Sequence, residues 1–289
     1  IFVAAGGLLF AIGLLDDRFQ LSVRSRFAVH IVAAVLLIYG SVVLHDIGNI
    51  FSDEPFGLGL FAFPVTVFAV VGAINALNMI DGADGLAGLV SLVSLSLLNV
   101  VSHVSGSAIQ FLICVCTVGA VGGFLVFNMP WVGRDKAQIF MGDAGSTLLG
   151  FLLAYLLISL SQGNHRAMSP VTALWIFAIP LMDTLGVGLR RMWLGKSPFS
   201  ADRGHIHHLL LDAGFRVRHA VVLIALLQLA LGTIGVAGFY LALPEAVLLV
   251  AFLGIAVGYA YLISRPWRII PRLRAFHRQS GLVVQGVRH

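Results

Sequence analysis

The stretch Asn75-Ala-Leu-Asn-Met-Ile-Asp81-Gly-Ala-Asp84-Gly sets two amides and two carboxylates three residues apart, at the end of a long apolar run. On a helix, Asn75 and Asn78 fall on neighbouring turns of one face. Gly82 and Gly85 then end the helix and let backbone come close to a ligand. Amide and carboxylate oxygens suit a hard cation such as Mg²⁺. They also suit the hydroxyls or base edge of a sugar nucleotide. The plain alternative is a set of buried polar residues that join helices. Ionisable groups at membrane depth are costly, which favours function over packing.

Three further clusters could do chemistry. Asp16-Asp17 is a pair of adjacent carboxylates before Arg18. Such neighbours repel unless a cation is near, so one could act as a base or help gather Mg²⁺. Gly142-Asp143-Ala-Gly145-Ser146 opens an apolar run at 145. The free N–H groups of a helix starting there suit an anion, with Asp143 holding the metal that bridges protein and phosphate. The plain reading of Asp143 is a helix cap. His205-Ile-His207-His208 follows Asp202-Arg203. Zinc is the rival reading, since His is a common ligand. However, the cluster has no Cys, and Arg203 opposes a cation. The trio with Arg203 is read as donors to phosphate oxygens. Asp183 either helps this site or pairs with Arg190 or Arg191.

These residues must be positioned by membrane helices. Hydrophobic residues make up 59% of the chain and charged residues 11%, against roughly 25% charged in soluble domains. The expected fold is an all-α polytopic membrane protein, a single domain over 1–289. Each span needs about 20 apolar residues, and nine runs qualify or nearly so: 1–15, 27–44, 60–79, 86–102, 108–127, 145–161, 169–189, 219–241 and 245–264. The segments 16–26, 128–144, 190–218 and the tail 265–289 hold 17 of the 18 Lys and Arg, and only Arg166 lies on the other face. Positive residues mark the cytoplasmic side, so every Asp motif, including the turn 80–85, is expected there. The net charge of +5 reflects this rule. No RNA- or DNA-binding motif is present. Cys114 and Cys116 read as small apolar residues within a span. Gly232, Gly235 and Gly238, and Gly254 with Gly258, read as close helix contacts. The tail interleaves Arg with apolar residues and suits the membrane surface. The last two spans carry no motif.

Leu14-Leu-Asp-Asp-Arg18, the Asn75–Asp84 motif, Phe140-Met-Gly-Asp-Ala-Gly-Ser146 and His205-Ile-His-His208 occur in this order. With them the chain resembles the polyprenyl-phosphate N-acetylhexosamine-1-phosphate transferases of glycosyltransferase family 4. The His-x-His-His form is similar to the branch that uses undecaprenyl phosphate and UDP-N-acetylglucosamine. The resemblance implies a bacterial inner-membrane transferase with its site facing the cytoplasm. It implies Mg²⁺ as cofactor, with Mn²⁺ able to substitute. It also implies about eleven spans, so that about two N-terminal ones would lie outside this chain. By the same resemblance, Asp143 would be a Mg²⁺ ligand and Asn78 a second. Asp16 or Asp17 would deprotonate or position the lipid phosphate, and Asp81 and Asp84 would order the nucleotide side. Asn75, Arg203, His205, His207 and His208 would bind substrate. The sequence leaves a homodimer open. An ion-coupled transporter would keep its charges near the bilayer midplane, often in repeated halves, and neither feature is evident. An intramembrane aspartyl protease would need Gly-x-Gly-Asp, which Phe140-Met-Gly-Asp143 lacks.

Overall fold

The structure is a computed structural model. It describes residues 1–131, 136–163, 166–197 and 204–279, without the side chains of 276–279. The described residues fold as twelve α-helices with one short 3₁₀ turn. In chain order these are α1 (Phe2–Phe19), α2 (Val23–Tyr39), α3 (Ala62–Ile80), α4 (Leu86–Val104), α5 (Ala108–Asn128) and α6 (Gly142–Ser161). Then follow α7 (Pro170–Ile176), α8 (Ala178–Trp193), α9 (Ile206–Asp212), α10 (Val217–Tyr240), α11 (Glu245–Ile263) and α12 (Pro266–Gln279). Each of the nine apolar runs carries helix, although α2 stops at Tyr39 and leaves 40–44 of the second run outside it. Six segments are long and apolar enough alone to cross a membrane, those carrying α3, α4, α5, α6, α10 and α11. The bent pair α7–α8 makes a seventh if it counts as one span. By this measure α1 is held back by its charged end, Asp16-Asp17-Arg18, and α2 by its 17-residue length.

The centre is α6, most of which is buried, packed on α3 and α1. Two glycines permit this closeness. A Cβ on Gly13 of α1 would overlap the backbone of Ala144, and one on Gly150 would lie 2.7 Å from the Cα of Ile74. On the outside, α5 and α11 leave most of their apolar surface exposed, as lipid-facing helices do. Gly232, Gly235 and Gly238 pack as expected, against Leu97, Trp175 and Leu248. Gly254 and Gly258 do not: nothing lies within 4 Å of either position. Among the described residues, nothing packs against the small-residue face of α11 at these two positions.

The run 169–189 is not one straight helix. It breaks at Phe177, and α7 and α8 diverge by 82°. Backbone groups freed at such a break must find partners, because lipid offers none. Gln228 of α10, fully buried, supplies them. Its Nε2 donates to the Ile176 carbonyl at 2.6 Å, and its Oε1 accepts from Ile179 N–H at 2.8 Å. Ser94 donates to the same carbonyl at 2.8 Å. The break directs α8 and its Asp183 toward the end of the bundle where the motifs gather. The tail helix α12 is amphipathic, and Arg274 from it donates to the Asp212 carbonyl at the end of α9.

Candidate active site

Two cavities open at one end of the bundle and share a wall. The first, about 290 Å³, is lined by Asp16, Arg26, His30, Asn75, Asn78, Asp143, Arg191, His205, His207 and His208, with Leu9, Ile12, Phe27 and Met79 as apolar wall. The second, about 370 Å³, is lined by Asp17, Asn78, Asp81, Asp84, Asn128, Phe140 and Asp143. Asn78, Gly82 and Asp143 border both. The expected catalytic, substrate-binding and metal-holding residues among the described ones all line one chamber or the other. Arg203 lies outside the described residues.

The adjacent carboxylates at the end of α1 part company. Asp16, 5% exposed, faces the histidine chamber. It accepts from Leu21 N–H at 2.6 Å and from Arg26 at 3.0 Å. Asp17 faces the acidic chamber and accepts the backbone N–H groups of Asp143 at 2.7 Å and Ala144 at 3.4 Å. This corrects two expectations. First, α6 begins at Gly142, so Asp143 sits inside its first turn rather than ahead of it. Second, two of the N–H groups expected to receive a ligand anion are already taken by the anion of Asp17. A helix N-terminus favours negative charge, and here the protein supplies it from another helix.

Across the shared wall, Asn78 Nδ2 donates to Asp143 and, at 3.0 Å, to the Ser146 hydroxyl. Arg26 lies 3.7 Å from Asp143 Oδ2 while bonded to Asp16, so it bridges the two carboxylates. Asn75 donates to the Val71 carbonyl and faces His30 Nδ1 at 3.4 Å.

In the turn after α3, Gly85 adopts φ +83° and starts α4, a backbone state that favours glycine. Its N–H donates to Asn128 at 2.9 Å, and Asn128 donates to the Ile139 carbonyl. Asp84 accepts from Ala137 N–H at 3.0 Å. The turn and the 136–141 segment are thereby tied into one wall. Asp81 is pushed up to about 7, first by burial and then by the charges of Asp143, Asp17 and Asp84. Among the described residues, no basic side chain lines this acidic chamber.

The histidines play three different parts. His205 Nδ1 lies 2.7 Å from Asp183 Oδ2, both groups being buried. Asp183 also accepts from Tyr259, so of its two expected parts the contacts seen are those on the side of the histidine loop. His207 is 1% exposed, and neither ring nitrogen has a partner among the described residues. Burial, followed by the neighbouring His208, holds it down to about 4, so its ring is neutral near pH 7. It packs on Gly82, where a Cβ would come within 2.6 Å of its Nε2. The ring of His208 lies tilted against that of His207, with centroids 4.1 Å apart.

Sequence reasoning missed Arg26, His30, Arg191, Asn128 and Tyr259. His30 did carry a signal, an ionisable residue four positions into an apolar run. Arg26 and Arg191 did not stand out from the other arginines of a positive-inside loop.

A divalent cation fits the acidic chamber by donor chemistry, with carboxylate and amide oxygens and no opposing base among the described lining residues. Among the described residues, however, no three Asp, Glu, His or Cys side chains are grouped to hold a metal ion. The histidine trio likewise forms no such group among the described residues. Mg²⁺ commonly binds one or two carboxylates and completes its shell with phosphate oxygens and water, so the sparse donor set suits a metal that arrives with a phosphorylated ligand.

Comparison with known proteins identifies the family. The undecaprenyl-phosphate alpha-N-acetylglucosaminyl 1-phosphate transferases of Yersinia pestis and Escherichia coli K12 are each 42% identical over 281 residues. The match covers 96% of this chain and 77% and 76% of theirs. The Haemophilus influenzae protein of the same name is 38% identical over 94% of this chain and 77% of its own length. The pattern of glycosyl transferase family 4 matches residues 1–161, which hold the Asp16-Asp17 pair, the Asn75–Asp84 turn and Asp143. A match over more than half the chain, with relatives this similar along nearly all of it, means that this membrane protein belongs to glycosyl transferase family 4.

Proposed function

We propose that this protein transfers N-acetylglucosamine-1-phosphate from UDP-N-acetylglucosamine to undecaprenyl phosphate and releases UMP, at the cytoplasmic face of the bacterial inner membrane. The observation that carries the reading is the pair of chambers meeting at Asn78 and Asp143. One combines an apolar wall with arginine and histidine, which suits the phosphate end of a lipid. The other is acidic, which suits a cation with a nucleoside diphosphate. The names of the relatives supply the acceptor and the transferred group, and UDP as the carrier of that group is part of the proposal.

An oxygen of the lipid phosphate attacks the sugar-bound phosphorus. A new P–O bond forms as the bond to UMP breaks, and UMP leaves with the electron pair. Such transfers depend mainly on positioning and charge neutralisation. Arg26 and Arg191 attract the acceptor phosphate into the histidine chamber. Asp16, on the same wall, steers it or takes its proton. The donor lies across the shared wall with its nucleotide toward Asp81 and Asp84 and its reacting phosphate toward the histidines. His207, a buried ring without a partner, gains one when phosphate oxygens or sugar hydroxyls arrive. Asp143, Asn78 and the acidic chamber would hold Mg²⁺, which when bound spreads the charge developing on the diphosphate.

The test is UMP release by purified protein with undecaprenyl phosphate, Mg²⁺ and a panel of UDP-N-acetylhexosamines. Release should require both substrates and be fastest with the N-acetylglucosamine donor. Release independent of the lipid phosphate would sink the reading. For sidedness, cysteines placed at 53 and 196 in a Cys-free background should react with an impermeant reagent outside intact cells only at 53. Labelling at 196 would reverse the orientation.

A further inference from the structure

We infer that Asp183 and Tyr259 are positioning residues that hold the His205 ring with Nδ1–H turned away from the chamber and Nε2 presented to it. The kinetic arm of the inference rests on the transferase reading above, whereas the geometric arm does not.

The Asp183 carboxylate is 1% exposed and sits on α8, beyond the break at Phe177. It collects three donors. His205 Nδ1 lies 2.7 Å from Oδ2, while Tyr259 O–H at 2.6 Å and Ile206 N–H at 3.1 Å both donate to Oδ1. An ionised carboxylate only accepts, so the ring proton between Asp183 and His205 belongs to Nδ1. Nε2 is then the atom left for a ligand: an acceptor when the ring is neutral, a charged donor when it is protonated. His205 lines the chamber that also holds Arg26 and Arg191.

The same carboxylate fixes more than one ring. Ile206 N–H is the first of α9, and the cap residue His205 makes no side-chain cap of its own. Asp183 therefore also anchors the start of the helix that carries His207 and His208. Tyr259 comes from α11, which carries no motif and packs along α8. Removing a partner that orients a metal-ligating histidine typically costs about 10–100-fold in activity, and a loss on the same order is expected for a histidine held toward a phosphate ligand. Among the described residues, the charged or titratable groups around His205 are Asp183 from α8, Tyr259 from α11, and His207 and His208 from α9, with Asp16, Arg26, His30, Asp143 and Arg191 lining the same chamber.

The experiment is ¹⁵N NMR of histidine-labelled full-length chain in detergent, with the His205 signals identified by their loss in His205→Gln. Wild type should show His205 protonated at Nδ1 in its neutral form. In Asp183→Asn, the amide oxygen keeps Tyr259 and Ile206, so the NH₂ group faces the ring. The ring must then accept at Nδ1, and the proton moves to Nε2. UMP release by that variant should fall about 10–100-fold at an unchanged melting temperature. A folded Asp183→Asn protein with the wild-type tautomer or the wild-type rate overturns the inference. Should that variant fail to fold, Tyr259→Phe decides. It keeps the carboxylate but removes one donor, so the His205 Nδ1–H resonance should move, and an unmoved resonance overturns the inference. A wild-type protein that releases no UMP would sink the transferase reading and leave the ring measurement standing.

Discussion

Asn78 donates a hydrogen bond to Asp143, and this contact is the partition between the acidic chamber and the histidine chamber. Residues 65 positions apart are joined because α3 and α6 pack along each other at the core of the bundle. One side of the wall looks toward Asp81 and Asp84, the other toward Arg26 and the histidines.

Asp143→Asn keeps the size of the side chain and its packing against Asn78, but removes the charge that would hold a cation. Folding and membrane insertion should be normal. Transfer should fall at least about a hundredfold, the scale seen when an electrostatic stabiliser of a transition state is lost. UMP release across a Mg²⁺ titration is the measurement, and excess Mg²⁺ should recover only part of the rate. Activity near wild type with an unchanged Mg²⁺ requirement would move the metal to Asp17 or Asp81.

Asp17 caps α6 from another helix, so its loss should be felt in stability. Asp17→Ala leaves the Asp143 and Ala144 N–H groups without their acceptor. The cost should be about 0.5–2 kcal/mol, as for a lost helix cap, read as a lower melting temperature in detergent. Asp17→Asn retains an acceptor and should recover most of that stability. It should not recover transfer if the acidic chamber needs its charge. Equal melting temperatures for Ala and wild type would show that the cap is immaterial.

Gly82 is where the aspartate motif and the histidine loop touch. In Gly82→Ala the new methyl group meets His207, so α9 must shift and transfer should drop. A strained contact predicts non-additivity. Gly82→Ala combined with His207→Ala should be less impaired than the two single losses multiply to. Strict additivity would mean that the two positions do not meet in the working enzyme.

Stability should fall on acidification because His207 is buried neutral. Its folded value is about 4, against 6.5 for an ordinary histidine. Between those pH values the unfolded chain binds a proton that the folded chain does not, so stability declines as pH drops from about 6.5 toward about 4. A shift of this size corresponds to on the order of 3 kcal/mol. His207→Gln should flatten the decline in melting temperature over that window. An equal slope in both proteins would assign the effect elsewhere.

The sequence alone determined the class, the helical runs and the aspartate motifs, because each is written in local pattern. Apolar length marks a helix fit for the bilayer, and a costly carboxylate at a helix end marks a site. It could also reach the four clusters as one constellation, since 17 of 18 cationic residues place their loops on one side. Only the tertiary structure decided what each carboxylate does. Asp16 and Asp17 are neighbours in the chain, yet they face different chambers, because successive helical residues point about 100° apart. The bend at Phe177 was hidden, since Gln228 repairs it from a helix 49 or more residues away. Tyr259 was hidden for the same reason: a hydroxyl on an apolar helix means nothing until packing sets it against the buried Asp183.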